Sequence, residues 1–346
     1  SRGRHQRLSV PSIGYIGYNI LSVKAFSLFS GGLDSMLAVK LIQDQGIVVE
    51  GLTFTTPFFD ARKAQEAAAQ IRMPLKIEDL TTEHLLMMKA PRYGFGKHMN
   101  PCIDCHTLML HKAGRIMEAE GADFVFTGEV LGQRPMSQTR QSLHIVAKNS
   151  GYGEYVLRPL SARLLPESRP EREGKVDRQK LLAVQGRSRK TQMEMARAYG
   201  IKYYPTPAGG CLLTDPMFAR RLKDLLHRQP DPDRRDIELL KYGRHFRIEE
   251  AVKVIVGRNE KDNLALQSLI RGDDAVLKMM EIPGPLVIIP GGSSEEEIQE
   301  AARLCVLYSD APQDGEAAVQ VTASGKMYVT VVRPTERAAA TRWIIQ

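Results

Sequence analysis

The sequence predicts an α/β protein in which a parallel sheet carries helices on both faces and a small C-terminal α/β domain follows. Three observations carry that expectation. Apolar runs of strand length alternate with segments of helical spacing through the first 130 residues, the rhythm of parallel strands joined by crossover helices. A glycine pair separates the first apolar run from the first helical segment. The net charge changes sign near Arg247, and a fresh series of strand and helix patterns begins there.

The 346 residues suggest two domains with ample core. The expected division is an N-terminal extension over 1–22, a main domain over 23–247 and a small domain of unknown role over 248–346. No apolar run approaches the length of a helical membrane span, and the basic start leads into no apolar signal core, so a cytoplasmic protein with no membrane partner is expected. The chain has four cysteines, too few for a disulfide framework. Charge is uneven: net +3 over 1–154, +10 over 155–247 and −5 over 248–346. A cationic middle segment attracts a polyanion, with nucleic acid the leading candidate.

Val23–Phe29 reads as a buried strand, and Met36–Gln45 as a helix stopped by Gly46. Ile47–Phe54 is a second strand, Ala61–Gln70 a helix, Ile71–Ile77 a third strand and Leu80–Lys89 a helix. A loop over Pro91–Pro101 leads to a helix over Cys105–Glu120, a strand at Phe124–Thr127 and a polar loop over Gly128–Gln138. Tyr155–Leu157 forms one more strand, and residues 161–175 a surface loop. Helices are expected at Lys180–Val184, Lys190–Tyr199 and Pro216–Arg228, with a rigid turn over Tyr203–Gly210 that presents Cys211. The C-terminal domain reads as strands at Ala251–Val256, Ala275–Met280, Leu286–Ile289, Ala317–Thr322 and Met327–Val332. Its helices fall at Asn263–Ile270 and Ser294–Tyr308.

Ser30-Gly31-Gly32-Leu33-Asp34-Ser35 sits between a strand and a helix. Backbone N–H groups, two hydroxyls and a helix N-terminus converge there, which suits a pyrophosphate. The loop lacks the Gly-Lys-Ser/Thr of a Walker A motif. It resembles the PP-loop of ATP pyrophosphatases, which implies an adenine nucleotide alpha hydrolase-like fold, cleavage of ATP between the α and β phosphates, and adenylation of a substrate oxygen. On that resemblance Thr53 and Phe54 contact adenosine, and Gly128 is a further candidate nucleotide contact; the Asp34 carboxylate suits Mg²⁺, and Glu129 suits a second magnesium contact or the orientation of the base.

Cys102-Ile-Asp-Cys105 opens a helix, and Cys211 follows Gly209-Gly210. Two cysteines at that spacing suit a metal clip, a redox or persulfide pair, or incidental core packing. Three thiolates leave a [4Fe–4S] cluster with one open iron, whereas His106 or His111 would complete a zinc site. Cys305, in an Ala/Leu-rich segment, reads as a buried small hydrophobe.

Thr127-Gly-Glu-Val-Leu-Gly-Gln133, Ser137-Gln-Thr139 and Arg158-Pro-Leu160 resemble segments of tRNA 4-thiouridine synthetases, and the cysteine order resembles that of PP-loop tRNA thiolases. Arg134-Pro135-Met136 makes the intervening loop one residue longer than that family's pattern. The resemblance covers roughly 23–215 and implies an ATP-dependent tRNA sulfurtransferase. Cys102, Cys105 and Cys211 then hold a [4Fe–4S] cluster, sulfide or desulfurase-derived sulfur is the donor, and a homodimer is allowed. Candidate RNA contacts are Gln133, Gln138, Arg158, Arg187, Arg189, Lys190, Arg220 and Arg221, with Tyr203 and Tyr204 as stacking surfaces. 2-Thiouridine synthesis, and a PP-loop sulfurtransferase or amidotransferase-type synthetase acting on a small molecule, are the alternatives.

Overall fold

The computed structural model describes residues 22–206, 211–248 and 252–345. The N-terminal extension lies outside them except for Ser22, as do Gly209, Gly210 and Ala251. The first sheet has five parallel strands in the order β3-β2-β1-β4-β5. These are β1 (Lys24–Leu28), β2 (Val48–Thr55), β3 (Leu75–Asp79), β4 (Phe124–Thr127) and β5 (Val156–Leu157). Helices α1 (Leu33–Gln43), α2 (Arg62–Ile71), α3 (Thr81–Lys89), α4 (Cys102–Ala119) and α5 (Arg140–Ser150) fill the connections. The short α6 (Arg169–Arg172) and then α7 (Lys190–Ala198) follow β5.

Successive strand side chains point to opposite faces, and both faces are covered. Phe124 and Phe126 of β4 join Ala25, Leu37, Ala68 and Ala196 in one core. Val125 joins Phe26, Leu52, Leu110, Ala113 and Val146 on the other. The chain runs outward from β1 through β2 to β3, then returns to place β4 on the other side of β1. That reversal opens a crevice beyond the C-terminal ends of β1 and β4, where open α/β sheets bind ligands.

Helices α8 (Pro216–Arg228) and α9 (Arg234–Leu239) lead into the second unit. It is an antiparallel six-stranded sheet in the order β11-β10-β8-β9-β7-β6. Its strands are β6 (Arg244–Ile248), β7 (Val252–Val256), β8 (Ala275–Met279), β9 (Val287–Ile289), β10 (Ala317–Ala323) and β11 (Lys326–Val332). Its helices are α10 (Glu260–Gln267), α11 (Glu295–Leu307) and α12 (Arg337–Trp343). Cys305 on α11 is fully buried in this core.

Some details depart from expectation. The change of charge sign at Arg247 falls inside β6, whose full length pairs with β7, because a charge boundary need not be a folding boundary. Lys180–Val184 is not a helix: a single 3-10 turn over Arg178–Lys180 gives way to an extended segment, and Leu182 and Val184 donate to the carbonyls of Pro159 and Leu160. Helix α5 lies where no element was expected. Thr139 caps it by accepting from the Ser142 N–H at 3.0 Å, while its sparse apolar stripe gives little periodic signal.

Arg221 is buried rather than exposed, and it donates to the Leu240 carbonyl at 2.9 Å and the Gly243 carbonyl at 3.1 Å. It therefore fastens α8 to the turn that enters β6 and is not an RNA contact. Arg221→Ala leaves both carbonyls without that donor and is expected to destabilise the protein by about 2–4 kcal/mol, measured as a fall in the urea midpoint. Arg220→Ala, on the exposed side of the same helix, should change the midpoint negligibly.

Candidate active site

The Ser30–Ser35 loop emerges from β1 and opens α1. Gly31 has φ +74°, and an added Cβ would run into the Lys63 carbonyl, so this turn needs glycine. Gly32 is the N-cap of α1, and Ser35 Oγ donates to the Gly32 carbonyl at 2.7 Å. The Ser35 hydroxyl thus braces the turn. From the adjacent strand β4, Gly128 meets the start of α1: a Cβ there would lie 2.5 Å from Ser35 N.

A cavity of about 170 Å³ occupies this meeting point. Ser30, Gly32, Asp34, Ser35, Gly128 and Glu129 contribute to its lining. Asp34 accepts from Gln133 Nε2 at 2.8 Å through Oδ2, while its other oxygen, Oδ1, is buried without a partner. Gln133 is in turn held by Gln192, whose Nε2 donates to Gln133 Oε1 at 3.3 Å. Gln133 therefore positions the loop aspartate instead of offering its amide to a base. Gln138 is buried, and its Oε1 lacks a partner beside the cavity.

Glu129 lies fully within the site. Its Oε2 accepts from Arg158 Nε at 2.9 Å and from the Thr127 hydroxyl at 3.1 Å, and its Oε1 lies 3.1 Å from His106 Nδ1. Burial alone would raise its pKa. The charge of Arg158 and the contact with His106 overcome that effect and hold it at about 2. Both oxygens are occupied, so Glu129 is not a free ligand for Mg²⁺. Arg158 is buried too, with a second bond to the Leu143 carbonyl at 3.3 Å, so it does not reach an RNA phosphate.

A second, larger cleft of about 1000 Å³ opens beside the cavity. Cys102, Cys105 and Cys211 all line it, and Ser30, His106, Met109 and Arg134 line both spaces. The Ser30–Ser35 loop and the three cysteines thus border two neighbouring spaces that have these four residues in common. Burial raises the pKa of all three thiols, to about 11 for Cys211, and the neighbouring sulfurs add to the effect on Cys105 and Cys211. Arg134 pulls Cys102 the other way. Among the described residues, no three His, Cys, Asp or Glu side chains are grouped to hold a metal ion.

The residues expected to contact adenosine, Thr53 and Phe54, do not line either space. Thr53 and Phe54 are buried, whereas Thr55 and Thr56 line the cleft; a strand end read from sequence is easily misplaced by two residues. Arg187, Lys190 and Arg220 are exposed, and Arg189 is half-buried. Gly186 donates to the Leu131 carbonyl at 2.8 Å, which sets this basic stretch beside the Gln133 loop. Tyr203 is exposed, while Tyr204 packs against the main core. His106 and Arg134 were absent from the expected nucleotide site; the helix start next to Cys105 and the lengthened loop are the signals that mark them.

Arg158→Ala leaves a buried carboxylate without its cation and is expected to cost about 3–5 kcal/mol at pH 7. The depressed pKa means that Glu129 supports the fold fully above its ordinary value of 4.5, and this support is lost as pH falls toward about 2. The stability gap between wild type and Arg158→Ala, read from urea unfolding, should therefore narrow below about pH 4. A gap independent of pH would contradict the pairing.

Two family models match parts of the chain. Residues 21–163 match the family described as thiamine biosynthesis protein (ThiI), and residues 243–344 match the family described as NFACT protein RNA binding domain. Among solved structures, similarity is found to the C-terminal part of a fibronectin/fibrinogen-binding protein from Streptococcus suis. The identity is 14%, the TM-score is 0.27, and the match covers 45% of this chain and 72% of that one. A structure described as a predicted subunit of tRNA methyltransferase from Methanocaldococcus jannaschii is similar at 14% identity and a TM-score of 0.33, over 51% of this chain and 76% of that one. Residues 21–163, which carry the loop at the β1–β4 crevice and its parallel sheet, are thus similar to the ThiI family and have the fold expected of a PP-loop domain.

Proposed function

We propose that the protein is an ATP-dependent tRNA sulfurtransferase that adenylates a uridine carbonyl oxygen and replaces it with sulfur, with 4-thiouridine as the product. The observation that carries this reading is that the glycine-loop cavity and the cleft lined by three cysteines adjoin, with Ser30, His106, Met109 and Arg134 bordering both. The ThiI match supports a sulfurtransferase of that type, and the NFACT RNA-binding match supports RNA as the substrate. Exposed Arg187, Lys190 and Arg220 supply backbone contacts that add affinity without reading sequence.

In the first half-reaction the uridine oxygen attacks the α-phosphorus, the α–β bridging bond breaks, and the adjacent ring nitrogen gives up its proton to solvent. Pyrophosphate leaves against the N–H groups at the start of α1, where the helix end favours negative charge. Asp34 Oδ1, buried and unpartnered beside the cavity, suits a Mg²⁺ ligand in this scheme. In the second half-reaction hydrosulfide adds to the activated carbon, the C–O bond breaks, AMP departs with the electron pair, and the proton ends on the base nitrogen. Cys102, Cys105 and Cys211, which border one cleft, are the residues that would hold a [4Fe–4S] cluster in this scheme. A cluster bound there would supply an iron open to sulfide.

The test is anaerobic incubation with tRNA, ATP, Mg²⁺ and sulfide, followed by nucleoside analysis and measurement of pyrophosphate. The reading expects equal yields of 4-thiouridine and pyrophosphate, and no turnover in Asp34→Ala. Cys102→Ala, Cys105→Ala and Cys211→Ala should each lose bound iron and thiolation together, whereas Cys305→Ala should keep both. Orthophosphate as the first product, or thiolation only of a small molecule, would contradict it.

A further inference from the structure

Five cations line the cysteine cleft, and three of them are held by carboxylates. Arg62 pairs with Asp60 at 3.0 Å, Arg234 with Asp79 at 3.0 Å, and Lys241 with Glu238 at 2.7 Å. Lys63 and Arg134 remain. Lys63 borders only the cleft, whereas Arg134 borders both the cleft and the nucleotide cavity. His106 also borders both, but its Nδ1 is engaged by Glu129. Among the described residues, no carboxylate or carbonyl pairs with the Arg134 guanidinium.

The Arg134 backbone is fixed while its side chain is exposed. Its carbonyl accepts from Gln138 N at 3.0 Å, and Gly132 N donates to the Gln138 carbonyl at 2.7 Å, which closes the loop on itself. Pro135 restricts the turn that follows. This is the loop that is one residue longer than the pattern it resembles. An unpaired guanidinium held at the junction of two cavities is suited to an anion that must face both of them.

We infer that Arg134 is the phosphate contact of the second half-reaction: it binds the α-phosphate of the adenylated base at the junction of the nucleotide cavity and the cysteine cleft. The assignment rests on the adenylation and thiolation proposed above. At this point the nucleotide carries one phosphate, joined to the base through the former carbonyl oxygen. Hydrosulfide approaches from the cysteine side, forms the C–S bond and displaces that oxygen. The charge that returns to AMP as the C–O bond breaks is met by Arg134, while the pyrophosphate of the first half-reaction belongs to the α1 N-terminus.

The test is equilibrium binding of AMP and, separately, of pyrophosphate to the full-length chain as wild type, Arg134→Gln and Arg134→Lys, alongside thionucleoside formed per pyrophosphate released. Arg134→Gln is expected to weaken AMP about tenfold, the worth of one charge-assisted hydrogen bond, and to leave pyrophosphate within about twofold. Thionucleoside per pyrophosphate should fall as the adenylated base is lost to water, and Arg134→Lys should recover part of both effects. Unchanged circular dichroism establishes that the variants fold. Unchanged AMP affinity overturns the assignment, and so does an equal loss for pyrophosphate, which would make Arg134 a general anion attractor. A wild-type protein that forms no thionucleoside overturns the underlying thiolation reading instead. The AMP titration needs no turnover and so tells the two failures apart.

Discussion

The ion pair between Glu129 and Arg158 is the constraint on which the site depends. It is buried at the end of β4, directly beside the glycine loop, and its geometry ties together elements distant in sequence. Arg158 comes from the segment after β5 and reaches the Leu143 carbonyl of α5, while Glu129 reaches back to His106 at the start of α4. A buried pair of this kind is weak evidence for net stability, but breaking it exposes a large penalty. That asymmetry fixes which conformation of the loop after β4 is tolerated. The same loop then carries Gln133 to Asp34 and sets Arg134 over the cysteine cleft. One electrostatic requirement therefore places the nucleotide loop, the histidine and the cysteine helix in register.

Sheet topology supplies the rest. Strands β1 and β4 lie side by side because the chain reverses direction across the sheet, so two loops separated by about a hundred residues meet at one crevice. Gly128 allows that contact, since any side chain would strike the start of α1. The cysteines arrive by a different route. Helix α4 packs against α5 and β1 and points its first turn toward the crevice, and Cys211 enters from the segment before α8. A helix start and the segment before α8 thus bring the three thiols to one cleft, where burial raises the pKa of each.

Much of this was legible in the sequence. Strand β4 fell on its expected residues, as did α8, because bounded apolar runs and a proline at the first helical position are strong local signals. The Ser30–Ser35 loop was readable as an anion cradle from its glycines and its place between strand and helix. What the sequence could not disclose were pairings across long separations. Arg158 and Arg221 look like surface cations in a basic segment, yet each is buried by a partner that no local pattern announces. Gln133 looks like a base-reading amide until Asp34 is found beside it. Helix α5 escaped because its buried stripe is little more than Leu143 and Val146. Charge composition located a cationic region but did not distinguish the arginines that fasten the fold from those that face solvent.

The central claim is that nucleotide and cysteines occupy adjoining spaces, and cysteine footprinting tests it most directly. Alkylation of Cys102 and Cys211 would be followed by mass spectrometry with and without a non-hydrolysable ATP analogue and Mg²⁺. Cys305, buried in the core of the other sheet, serves as the internal reference. The account predicts that bound nucleotide slows modification of Cys102 and Cys211 while Cys305 stays unreactive in both conditions. Saturating nucleotide that leaves both rates unchanged would contradict it.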